Sequence, residues 1–151
     1  MSPIAFAPLV AWCAALTAVD LRHRRLPNAL TMSGAVIIFG YALFTTQFTA
    51  AAAGAVLLAT PYLLMHLITP AALGAGDVKL AIGLGAVAAL GGAQVWVRAA
   101  LAAPVLTAAF GLAVLARWRI RSGDDRAGPR ALPHGPAMCL ATVLSLAAAH
   151  G

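Results

Sequence analysis

The sequence predicts an all-α membrane protein of six transmembrane helices, and three observations carry that expectation. Hydrophobic residues make up 62% of the 151-residue chain and charged residues only 9%, with a mean hydropathy of +0.92. A soluble domain carries roughly 25% charged residues. Uncharged stretches close to the ~20 residues that a membrane helix needs recur along the chain. The basic residues fall in short segments between those stretches rather than along one face. Such a chain cannot cover itself with polar surface in water. A soluble enzyme, a disordered tail and a secreted disulfide scaffold are thereby excluded.

Each helix follows from a gap between charges. Residues 1–19 are uncharged and run into Asp20-Leu21-Arg22-His23-Arg24-Arg25. The first helix is placed near 2–19. Its positive charges follow the apolar run instead of preceding it, so it reads as a retained helix and not as a signal peptide. Pro27 stops that register, and Asn28 is expected to cap the second helix, near 29–45. Thr45-Thr46-Gln47 turns the chain into a third, near 50–69. A fourth helix is expected near 79–95, with Gly91-Gly92 close to its end, and a fifth near 99–116. Ser122-Gly123-Asp124-Asp125 makes the next turn, and Pro133-His134-Gly135-Pro136 opens the last helix, near 134–150. Pro61 and Pro104 fall inside the third and fifth helices, where a membrane helix tolerates a kink. The whole chain, 1–151, reads as one domain.

Six spans put the 20–28, 70–79 and 117–130 segments on one side. Nine of the ten basic residues then gather there: Arg22, Arg24, Arg25, Lys79, Arg117, Arg119, Arg121, Arg126 and Arg130. Arg98 alone lies opposite. The positive-inside rule makes the crowded side cytoplasmic and both termini external. An odd number of spans would destroy that segregation. The net charge of +6 is therefore a topology signal, and no nucleic acid partner is expected; membrane lipids are.

The chain has four acids, Asp20, Asp77, Asp124 and Asp125, and no Glu. Asp124 and Asp125 stand in a polar loop beside Arg121 and Arg126, which explains them without catalysis. Asp20 and Asp77 each end an apolar stretch on the same face. Taken singly, each reads as a helix-end acid, with Asp20 paired to Arg22 or Arg24 and Asp77 to Lys79. A carboxylate at membrane depth costs about 2.5–3.5 kcal/mol, less near the interface, so such acids need a reason. Gly76, just before Asp77, removes a Cβ, permits positive φ and lets another backbone approach, as an extended peptide being cut requires. Gly83 and Gly85 downstream read as helix packing. Cys13 and Cys139 sit in apolar runs without CxxC spacing. His23, His66, His134 and His150 match no metal-ligand spacing, so neither metal nor cofactor is expected.

Three segments taken together, Asp20 with Arg25-Leu26-Pro27-Asn28, Gly74-Ala75-Gly76-Asp77-Val78-Lys79, and Leu132-Pro133-His134-Gly135-Pro136, resemble the type IV prepilin peptidases. These are GxGD membrane aspartic proteases, and the order and spacing of the segments match theirs. The resemblance implies a six-helix fold with a GxGD aspartyl protease core and catalytic Asp20 and Asp77. Gly74, Gly76, Lys79, Pro27 and Asn28 would shape the site or admit substrate. It implies cleavage of the basic leader of pilin-like precursors, at the cytoplasmic face of a bacterial inner membrane. Larger members add an N-terminal segment with paired CxxC motifs and N-methyltransferase activity; neither is expected here. The short form resembles that of Tad/Flp-type pilus systems.

Two carboxyls sharing one site disfavour double ionisation, so the pair holds one proton. The ionised partner takes a proton from water as it attacks the scissile carbonyl, and the protonated one donates to the carbonyl oxygen. Acid and base cannot be assigned individually, because the proton belongs to the pair. Lys79 either tunes that charge or snorkels to the interface. The alternative is a small proton- or cation-coupled transporter using the same acids. Against it, both acids lie at one face, whereas a conduction path needs polar groups through the depth.

Overall fold

The computed structural model describes residues 3–23, 26–70, 73–122 and 134–149. Arg24, Arg25, Gly123, Asp124, Asp125, Arg126, Arg130, Leu132, Pro133 and His150 lie outside the described residues. Within them the chain forms six helices: α1 (Pro3–His23), α2 (Asn28–Phe44), α3 (Phe48–Ile68), α4 (Ala75–Leu90), α5 (Ala93–Ser122) and α6 (Gly135–Ala147). The fold is all-helical.

The helix limits differ from those expected wherever charge served as the boundary. α1 runs through Asp20 to His23 instead of stopping at 19, since neither Gly nor Pro intervenes. Arg22 and His23 in its last turn suit the negative end of the helix dipole. α4 starts at Ala75 rather than 79, because Asp77 in its first turn supplies a cap. It ends at Leu90 rather than 95, where Gly91-Gly92 turns the chain with Gly92 at φ 104°. α5 therefore begins at Ala93, not 99, and spans 30 residues. Arg98 lies within it without interrupting it. α6 is 13 residues long, shorter than expected. The Thr45-Thr46-Gln47 turn is present, with Thr46 at φ 56°.

Pro27, not Asn28, stands at the N-cap of α2, in extended backbone. Its carbonyl accepts the N–H groups of Leu30 and Thr31 at 3.0 and 3.2 Å. Asn28 is already helical and its side chain is free for other work.

α4 is the axis of the bundle and packs against α2, α3, α5 and α6. Leu80, Ala81 and the unbroken run from Gly83 to Ala88 are buried on it, as befits a helix apolar all round. Its closest neighbour is α3. A Cβ on Gly85 would meet Gly54 O, and Leu58 Cβ at 2.8 Å, so glycine at this crossing sets the interhelical distance. Trp96 Nε1 of α5 donates to Gly54 O at 3.0 Å and closes the same corner. On the other side, Trp12 Nε1 of α1 donates to Leu30 O of α2 at 2.8 Å, and its ring lies over Gly34 and Gly83. α1 packs chiefly on α6.

Large apolar side chains cover the outside, among them Val36, Ile37, Phe44, Val56, Leu67 and Leu101. In water so wide an apolar surface would be unfavourable; hydrocarbon is its matching solvent. Three segments, Ala5–His23, Phe48–Ile68 and Ala93–Arg117, are long and apolar enough to cross a membrane. α4, with 16 residues, is about 24 Å long and is shielded by its neighbours. Alternating helix directions bring the end of α1, the start of α2, the end of α3 and the starts of α4 and α6 to one end of the bundle.

Candidate active site

Asp20 stands in the last turn of α1 and is 6% exposed. Its Oδ2 is buried and has no hydrogen-bond partner among the described residues. What approaches it is the start of α6. A Cβ on Gly135 would lie 2.7 Å from Asp20 Oδ2, so only glycine admits the carboxylate there. The Gly135 amide and the His134 ring both act on this carboxyl. The positive end of α6 thus faces an acid.

Asp77 is half-buried in the first turn of α4. Its N–H donates to Gly74 O at 3.0 Å, and its Oδ2 accepts the Gly74 N–H at 3.1 Å. This is a reciprocal cap in which a backbone carbonyl replaces the usual hydroxyl. It orients the carboxylate and leaves Oδ1 for other partners. Asp77 lies within electrostatic reach of His134, Asp20 and His66, and Tyr62 lies within reach of Asp77. Two acids from α1 and α4, with a histidine at the start of α6, thus converge at one end of the bundle.

One expectation about the flanking residues needs correction. Gly76 is part of a right-handed helix, and the only glycine with positive φ among the described residues is Gly92. A Cβ on Gly76 would lie 3.0 Å from Leu26 Cβ, so its missing side chain makes room for the α1–α2 connection. Lys79 Nζ donates to Asn28 Oδ1 at 2.7 Å, which links two of the motif segments. Gly74 is the N-cap of α4 in extended backbone, and Pro27 caps α2.

Tyr62 and His66 carried no motif. They lie four residues apart near the end of α3, both within electrostatic reach of Asp77. Their readable signal was a Tyr and a His at helical spacing, closing an apolar span just before the GxGD segment. Among the described residues no group of three or more His, Cys, Asp or Glu side chains is arranged to hold a metal ion.

The fold is that of a helical membrane protein, with two acids brought together at one end. Residues 7–115 match the type IV leader peptidase family, and the chain belongs to that family of peptidases. The matched stretch contains Asp20 and Asp77 and stops before His134. No curated protein and no solved structure matches the chain.

Proposed function

We propose that this protein is a membrane aspartic endopeptidase that removes the basic leader of type IV pilin-like precursors, of the Tad/Flp type, with Asp20 and Asp77 as its reacting carboxyls. The observation that carries this reading is the convergence of Asp20 and Asp77, from helices remote in sequence, at one end of the bundle.

The pair acts on one water. The carboxylate that is ionised accepts a proton as the water oxygen bonds to the scissile carbon, and its protonated partner donates to the carbonyl oxygen. The resulting diol collapses as a proton passes to the leaving nitrogen and the C–N bond breaks. Both roles belong to the pair.

Six crossings with the site at the cytoplasmic face of a bacterial inner membrane suit this chemistry, because the basic leader of a precursor stays on that side. A conduction path is not favoured. Among the described residues, no acidic or basic side chain lies at the middle of the bundle.

The test is co-expression of the full chain with a pilin-like precursor, scored by mass of the precursor's N-terminus. Loss of the leader is expected. Intact precursors of several such sequences would overturn the reading.

A further inference from the structure

We infer that His66 is a positioning residue for Asp77, acting through the one peptide unit that joins Leu73 to Gly74; the inference rests on the reading of Asp77 as a reacting carboxyl. His66 Nδ1 lies 2.7 Å from Leu73 O. A carbonyl oxygen only accepts, so Nδ1 carries the proton, and in the neutral ring Nε2 is left as an acceptor. The N–H of the same peptide unit, that of Gly74, donates to Asp77 Oδ2 at 3.1 Å. The plane of a peptide is rigid. Held by His66 at its oxygen and by Asp77 at its nitrogen, it transmits the position of one side chain to the other.

The bond from His66 also strengthens the second one. Accepting a hydrogen bond at the carbonyl polarises the amide, which makes its N–H a better donor. Leu73 is buried, 7% exposed, so packing fixes the residue that carries the carbonyl.

The ordinary task of a histidine in a last helical turn, satisfying that helix's own carbonyls, is already done by another residue. Thr69 gives both its N–H and its Oγ1–H to Met65 O, at 2.8 and 3.1 Å. His66 instead reaches seven residues along the chain, past the end of α3, to the segment that precedes Asp77.

Two substitutions separate the donor from the ring. His66→Asn places an amide N–H where Nδ1–H stood and removes the ring. His66→Phe keeps the ring and removes the donor. Rates are measured on the full chain in lipid nanodiscs, with a synthetic pilin-like precursor. His66→Phe is expected to lower kcat by about tenfold, the worth of one oriented hydrogen bond, with KM within about twofold of wild type. His66→Asn is expected to stay close to the wild-type kcat. Equal loss in both variants, loss in neither, the reverse order, or a change confined to KM overturns the positioning role. A wild-type protein inactive on every precursor overturns the underlying function instead, so the two failures are distinguishable.

Discussion

Lys79 Nζ donates to Asn28 Oδ1 across 51 positions of sequence, and so ties the second turn of α4 to the first turn of α2. Asn28 follows the connection that leaves Asp20, and Lys79 follows Asp77 by two residues. The bond lies at the end of the bundle where the two acids converge. It gives two motif segments a structural reason to occur together: each supplies an acid, and each supplies one end of a strut that holds the other in register.

Removing either end of that strut should loosen the site without unfolding the protein. Lys79→Met and Asn28→Leu are each expected to lower stability by about 1 kcal/mol, as for one partly exposed charge-assisted hydrogen bond. The double variant should lose no more than the worse single one, because the interaction is shared. Thermal unfolding in detergent with a double-mutant cycle measures this. Strictly additive losses would show that the two side chains act independently.

Gly135 is expected to be among the least replaceable residues outside the acids. Gly135→Ala puts a Cβ 2.7 Å from Asp20 Oδ2, and such overpacking costs about 1–3 kcal/mol. The carboxylate or the start of α6 must move, so processing should fall at least tenfold while membrane insertion persists. Gly40→Ala is the control, since nothing lies within 4 Å of its added Cβ. Leader-removal rates of the two variants compare them directly.

The α3–α4 crossing should respond as a packing site. Gly85→Ala is expected to destabilise by about 1–3 kcal/mol, because Leu58 Cβ at 2.8 Å and Ala55 Cα at 3.1 Å leave no room. Thermal unfolding of the variant tests it. A midpoint equal to wild type would mean that the two helices slide apart at little cost.

Topology has its own test. On a background without the buried Cys13 and Cys139, a cysteine replacing the exposed Gln47 should be labelled in intact cells by an impermeant maleimide. One replacing Arg22 should be labelled only after the cells are opened. The reverse pattern would invert the orientation and put the site outside.

Much of this molecule was readable from composition alone, and the rest was not, for two physical reasons. Helix count and order follow from hydropathy, and Asp20 and Asp77 stand out as acids in a chain almost without them. Helix limits failed where a charge was taken for a terminus. Asp20, Arg22 and Arg98 lie inside helices because a charged side chain leaves helical backbone undisturbed, and long side chains snorkel. The start of α4 was missed by four residues because a carboxylate can be cap and candidate catalyst at once. The contacts of His66 and Asn28 were not readable for a different reason. Their partners, Leu73 O and Lys79, are set by how α3, α2 and α4 meet, and periodicity within one helix carries nothing about that meeting.

The most direct measurement replaces each acid in turn and follows leader removal from a pilin-like precursor beside wild type. Asp20→Asn and Asp77→Asn keep the shape of the side chain, and the new amide at 77 can still accept the Gly74 N–H through its oxygen. Both variants are expected to insert normally and to cleave nothing detectable, since each removes one half of the proposed proton-sharing pair. Asp124→Asn should cleave as wild type does. Processing at the wild-type rate by either Asp20→Asn or Asp77→Asn would contradict the two-carboxyl site.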